Sequence, residues 1–183
     1  MKKTIFALLL GAALCVMTSC GAADPTDTSA DTANTPDTAA ETAADAVETS
    51  DGYIVELDDG TTFVMGALAD DTVAALGEPQ SMTEAPSCVH EGMDKLYTFG
   101  GYTLTTSPDA EGKARIQEIS LTSDAVSLAD GLSIGSDKAA VEASFGTDYT
   151  DNFGVLTFTL EGAQVSVVLD ADDCVSGLTI TAK

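Results

Sequence analysis

The chain has no tryptophan, one histidine and seven basic residues against thirty acidic ones, in a length of 183. Each shortage excludes something. With His90 as the single imidazole, no second histidine can serve a metal site. A formal net charge of −23 repels phosphate backbones and anionic lipid surfaces alike, which excludes nucleic-acid binding. Aromatic residues make up 5% of the chain, so most of them are needed to fill a core. Past the first twenty positions no apolar run is long enough to cross a bilayer. The sequence also lacks a Gly-rich phosphate loop, a Gly-x-Ser-x-Gly elbow and a dinucleotide fingerprint.

What is present begins with Lys2-Lys3, an apolar stretch from Ile5 to Val16 and the small residues Thr18-Ser19 before Cys20. A basic start, an apolar run too short to span a membrane and a small-residue site describe an export signal. Met17-Thr18-Ser19-Cys20 resembles the lipobox of bacterial lipoproteins, with Met17 where leucine is usual. The resemblance implies that residues 1–19 are removed and that Cys20 is lipidated, holding the protein on the extracytoplasmic face of the cell membrane. Each buried methylene of the acyl chains contributes ~0.8 kcal/mol to such an anchor. Residues 21–51 are acidic and rich in alanine and threonine, with no aromatic and no base. A segment of that composition cannot bury enough apolar surface to offset its ordering entropy, and its like charges keep it extended. Residues 20–51 are therefore expected to form a lipidated, disordered tether of roughly 30 Å as a coil and up to ~100 Å when stretched.

The remaining residues, 52–183, carry an internal repeat. Gly66 and Gly77 bracket one interval and Gly135 and Gly146 another of the same length, each expected to be a short helix with Val73 and Leu76, or Val141 and Phe145, facing inward. Leu96-Tyr97-Thr98-Phe99 matches Val155-Leu156-Thr157-Phe158, and Ile119-Ser120-Leu121-Thr122 matches Leu178-Thr179-Ile180-Thr181. These stretches alternate apolar and hydroxyl residues, as half-buried strands do. Two further strand-like runs, Tyr102 to Thr106 and Gln164 to Leu169, lie between them. The pattern predicts an α+β fold of two tandem helix-plus-antiparallel-sheet repeats, at 52–125 and 126–183, each a helix followed by three strands. Residues around Ser81 to Asp94 read as an insertion in the first repeat, and Tyr53 to Met65 as a hairpin that precedes it.

Gly66, Leu76-Gly77-Glu78-Pro79, Gly135 and Phe145-Gly146, with the strands behind them, resemble the repeats of the β-lactamase-inhibitor-protein and SmpA/BamE-like assembly lipoprotein superfamily. The second unit departs from the pattern at Thr147-Asp148, where Glu-Pro is expected. Cys88 and the run Glu91 to Tyr97 are similar to anchored lipoproteins of gut Firmicutes. These likenesses imply a location and an architecture rather than a reaction. In the inhibitor family an aromatic-rich sheet surface grips protein partners, which makes Tyr97, Phe99 and Tyr102 the candidate binding surface.

Cys88 and Cys174 are the cysteines left once Cys15 is cleaved away and Cys20 acylated. Two cysteines in an exported domain suggest one disulfide, whose loop closure would contribute about 4 kcal/mol; two separately buried thiols are the alternative. Cys88-Val89-His90 puts a thiol and an imidazole on one face of a strand, but without a third group to orient them it is a weak nucleophile site. Carboxylates cluster at Asp58-Asp59, Asp70-Asp71, Asp148 with Asp151, and Asp170 with Asp172-Asp173. None follows calcium-loop spacing, and each falls where a turn or helix start favours aspartate anyway. The sequence thus points to a non-enzymatic, membrane-anchored surface lipoprotein without cofactor or metal, binding a protein with a basic surface or an envelope component. A structural or assembly role in the envelope is the second reading, and a hydrolase acting on envelope material the third.

Overall fold

Alternating apolar and hydroxyl residues shape most of the molecule. The computed structural model describes residues 52–183; the signal segment, Cys20 and the tether lie outside the described residues. A hairpin comes first, Ile54–Glu56 (β1) with Thr62–Val64 (β2). Helix Asp70–Leu76 (α1) precedes Ser81–Pro86 (β3), Met93–Thr98 (β4), Tyr102–Pro108 (β5) and Ala114–Leu121 (β6). Helix Lys138–Phe145 (α2) precedes Tyr149–Asn152 (β7), Val155–Leu160 (β8), Ala163–Leu169 (β9) and Val175–Ala182 (β10). β3 to β10 form one sheet in the order β3-β4-β5-β6-β10-β9-β8-β7, every neighbouring pair antiparallel.

This corrects the expected α+β class. The described chain is predominantly β, with one continuous eight-stranded sheet and two helices of seven and eight residues, and not a pair of helix-plus-sheet repeats. The glycine-bracketed intervals leave room for about two turns each, because their first residues are spent in turns before the helix begins. Helical content is small for that reason. The segment read as an insertion is also no insertion: it supplies β3 and the start of β4. The edge strands bury little, which hides them in the sequence. All six residues of β3 are exposed, as are three of the four in β7, so neither carries the apolar alternation that reveals a strand. The boundary expected between residues 125 and 126 falls in the link from β6 to α2, and the sheet runs on across it through the β6–β10 pair.

At the centre of the sheet Leu121 faces Leu178, Ser120 faces Thr179 and Ile119 faces Ile180. These are the segments that matched in sequence, now side by side, and the Ser120 and Thr179 hydroxyls lie 2.9 Å apart. One face of the sheet is the core. Leu104, Ile119, Leu156, Phe158, Val165, Val167, Leu178 and Ile180 are all buried on it. Over them lie Val55 and Phe63 of the hairpin, Leu57 and Met65 beside it, Leu128 and Leu132 of the β6–α2 link, and Val141 of α2. A single antiparallel sheet covered on one side and open on the other alternates buried and more exposed residues along an inner strand, and β5 alternates buried and half-exposed residues throughout its length.

Candidate functional site

The aromatic residues expected to form a binding surface point the other way. Tyr97 faces Leu104 across β4–β5 and so lies on the core face. Tyr102 is 8% exposed; its ring stacks on Phe99 at 5.0 Å and meets Phe63 edge-on at 5.8 Å. Tyr97 and Phe99 are half-buried and pack against the core. Scarce aromatics filled the interior first.

Cys88 and Cys174 are free thiols. Strand direction keeps them apart. Cys88 lies in the turn joining β3 to β4, at the end of the sheet where β6 begins, whereas Cys174 precedes β10, which runs antiparallel to β6 and starts at the opposite end. The separation along the strands is well over 20 Å, against the ~7 Å beyond which Cα atoms cannot be bridged. In this structure the two thiols are unbridged. Burial first, then the charges of Asp170, Asp172, Asp137 and Asp173, raise the pKa of the Cys174 thiol above its ordinary value, which disfavours the nucleophilic thiolate. Cys88 and His90 are both exposed in the β3–β4 turn.

The carboxylate clusters are turn architecture. Asp170 Oδ1 accepts hydrogen bonds from the backbone N–H of Asp172 at 2.9 Å and of Cys174 at 3.0 Å, and Asp151 Oδ1 accepts from Gly154 at 3.1 Å. Asp109 does the same for Glu111 and Lys113 while its other oxygen takes the Arg115 Nε–H at 2.9 Å. Among the described residues no three His, Cys, Asp or Glu side chains converge in a way that could hold a metal ion.

The open sheet face has an order of its own. Following the register from edge to edge, Ser81, Thr98, Thr103, Ser120, Thr179, Ser166, Thr157 and Thr150 stand opposite one another, one hydroxyl on each of the eight strands. At the usual strand spacing this row is roughly 34 Å long. A second row beside it runs Thr83, Leu96, Thr105, Glu118, Thr181, Gln164, Thr159. Twelve of these fifteen side chains carry a hydroxyl and one carries a charge, and none of the fifteen is buried. In the first row the paired hydroxyls are those of Ser120 and Thr179; those of Thr98, Thr103 and Thr157 make no hydrogen bond to another described residue. β-branched threonine suits a strand, but two rows with a single charge contrast with the acidity of the chain as a whole.

On the covered side the hairpin, α1 and the start of β5 leave a groove of about 510 Å³, lined by Asp59, Thr61, Thr62, Asp71, Thr72, Ala75, Leu76 and Tyr102. Asp59 Oδ1 accepts from the Thr61 N–H at 2.8 Å, and this hydrogen bonding holds its carboxyl below the usual range, so it stays ionised. Burial, and then the Asp59 charge, push the Tyr102 phenol above its ordinary value. A smaller pocket of about 180 Å³ lies between β1 and α2, with Tyr53, Asp130 and Phe145 in its wall.

The apolar–hydroxyl alternation is local to each strand, whereas the rows exist only once the register of eight strands is set. The groove brings together residues from positions 59, 71 and 102, which no local motif links. No known protein family, curated protein or solved structure matches the chain.

Proposed function

We propose that this is a non-enzymatic, lipid-anchored surface protein of the cell envelope that works by binding, and that its open sheet face takes a neutral, hydroxyl-rich envelope component such as a glycan strand. The observation that carries the reading is the edge-to-edge hydroxyl row, with a second polar row beside it and one carboxylate among the fifteen side chains. Hydroxyl groups both donate and accept, so a row of them pairs with another polyol in many registers. A long neutral ladder suits an extended, neutral chain. An anionic envelope polymer would be repelled by a protein carrying a net charge of −23. The Cys20 anchor and the acidic tether would hold the face clear of the lipid, within reach of the surrounding wall.

The test uses the Cys20→Ser chain, which lacks the lipid, in co-sedimentation with isolated envelope polysaccharide. Binding is expected, and the triple variant Thr98→Val, Thr103→Val and Thr157→Val should weaken it about a hundredfold, for three hydrogen bonds of roughly 1 kcal/mol each. Valine keeps the shape and the strand preference of threonine, so an unchanged fold is expected by circular dichroism. Equal binding by the variant and the parent chain would remove the proposal.

A further inference from the structure

We propose that the groove between the β1–β2 turn, α1 and β5 binds an organic cation, an alkylammonium or guanidinium group carried either by a free amine or by a lysine or arginine side chain. Two carboxylates, Asp59 from the hairpin turn and Asp71 from α1, stand in its wall. They alone would define little more than an acidic patch. The second observation is Tyr102. Its side chain is more than nine-tenths buried, fixed by the stacked Phe99 and the edge of Phe63, and it lines the groove. Its hydroxyl makes no hydrogen bond to any described residue, and it is not among the buried polar atoms sealed from solvent. The ring is therefore held in place with its polar atom available to the groove.

The chemistry of the lining selects the class of ligand. A bare calcium ion needs six or more converging oxygens and very little room. This groove is far larger and has Ala75 and Leu76 in its wall. An ammonium on an alkyl stem satisfies both halves: the charged head donates to Asp59, Asp71 and the Tyr102 oxygen, while the methylenes lie against the apolar side chains. The Thr61 and Thr72 side chains add hydroxyls at the rim. Because Asp59 is pinned by the Thr61 N–H and Tyr102 by two rings, little conformational freedom is lost on binding. The strong net negative charge steers cations toward the molecule from every side, so local geometry must supply the selectivity. This inference does not rest on the glycan-binding reading, since the groove and the hydroxyl rows lie on opposite faces of the sheet.

Isothermal titration calorimetry of the full chain with cadaverine, a five-carbon diamine with an ammonium group at each end, tests the proposal, with pentanol as the uncharged control. Saturable binding of cadaverine at one site per chain is expected, with none for pentanol. Asp59→Asn and Asp71→Asn should each weaken cadaverine about tenfold. Asparagine at position 59 can still accept the Thr61 N–H, so the turn survives. Tyr102→Phe keeps the ring and should weaken binding by a smaller, measurable factor. Asp172→Asn removes the same charge from the β9–β10 turn and should change nothing. Equal weakening by Asp172→Asn and Asp59→Asn would reduce the effect to bulk charge and overturn the site, as would undiminished binding by Tyr102→Phe. A parallel titration with acetyl-Ala-Lys-Ala-amide separates the sources: tighter binding than cadaverine assigns the groove to a partner's basic side chain, weaker binding to a free amine. The triple valine variant of the open face should bind cadaverine as the parent does, so either reading can fail alone.

Discussion

The two edges of the sheet solve the same packing problem to different depths. At the β7–β8 edge Leu156 and Phe158 are fully buried, and the Phe158 ring lies between Phe145 of α2 at 5.4 Å and Tyr149 of β7 at 5.1 Å. At the β3–β4 edge the matching residues, Tyr97 and Phe99, are only half-buried, and Met82 and Met93 nearby are 48% and 41% exposed. The helices account for the difference. α2 buries Val141, is capped by Asp137 accepting the Ala140 N–H at 2.8 Å, and is tied to β7 by the Tyr149 O–H donated to Glu142 at 2.8 Å. α1 is one residue shorter, buries no side chain and has Ala69 at its N-cap with no side-chain hydrogen bond. A lightly held cover leaves space beneath it, and the larger groove is found beside α1. The lesson is that near-matching sequences at related positions can give one half its stability and the other its openings.

The sharpest way to break that comparison is to empty the matched positions. Phe158→Ala should cost about 3–5 kcal/mol, because it removes a fully buried ring that its neighbours cannot replace. Phe99→Ala should cost roughly half as much, since part of that ring already faces solvent. Denaturant unfolding of the two variants decides it. Equal losses would mean that the two edges are packed equally well, whatever their exposure.

A smaller effect separates the helices. Asp137→Ala removes the cap of α2 and should destabilise the protein by about 1 kcal/mol. Asp70→Ala, in the first turn of α1, removes only a favourable charge near the helix start and should cost a few tenths of a kcal/mol. The order of these two midpoints in the same unfolding assay is the result to check. A reversal would show that α1 is the better-anchored helix.

How much of this was legible beforehand depends on which residues bury something. β5 alternates buried and half-exposed residues along its whole length, and the corresponding run from Tyr102 to Thr106 was readable as a strand. The matched segments around Ser120 and Thr179 were readable too, although not that they pair with each other, because pairing is a long-range choice that alternation does not encode. β3 and β7 were illegible: an edge strand with all six residues exposed, or with Tyr149 alone half-buried, has no periodicity. The thiols of Cys88 and Cys174 looked like partners because sequence counts cysteines but does not give strand direction. Tyr97, Phe99 and Tyr102 were assigned to a surface on analogy, whereas the small supply of aromatics decided their place on the core side.

A pH experiment sharpens the comparison at the turns. Asp109, in the β5–β6 turn, accepts from Arg115 and from two backbone N–H groups, and the Arg115 bond is the largest of the effects that hold its carboxyl below the ordinary value of 3.8. The folded state therefore binds this proton less readily than the unfolded chain. Its contribution to stability is complete above the ordinary carboxylate value and is lost as pH falls through the lower folded value. Asp109→Asn should remove that acid-side dependence while leaving the neutral-pH dependence unchanged. Unfolding midpoints for parent and variant, measured downward from about pH 5, should converge as the carboxylate titrates. Curves that stay parallel would show that the Arg115 contact does not persist in solution.

The smallest expected effect compares the tyrosines of the two cavities. Tyr102 in the larger groove and Tyr53 in the smaller are both raised above 10.0, in each case by burial first and then by one carboxylate, Asp59 or Asp130. For a phenol the protonated form is neutral, so a raised folded value gives stability that is full below 10.0 and lost as pH rises through the folded value. Asp59→Asn removes only the second cause at Tyr102. The phenol should titrate at a lower pH than in the parent and still above its ordinary value, because burial persists, while Tyr53 is unmoved. Asp130→Asn should do the reverse. Following phenolate absorbance in the two variants separates the cavities, and a single shift shared by both would mean that the charges act through the field of the whole molecule. A shift confined to Tyr102 would place the Asp59 carboxylate within reach of that hydroxyl, which is the arrangement an ammonium group in the groove requires.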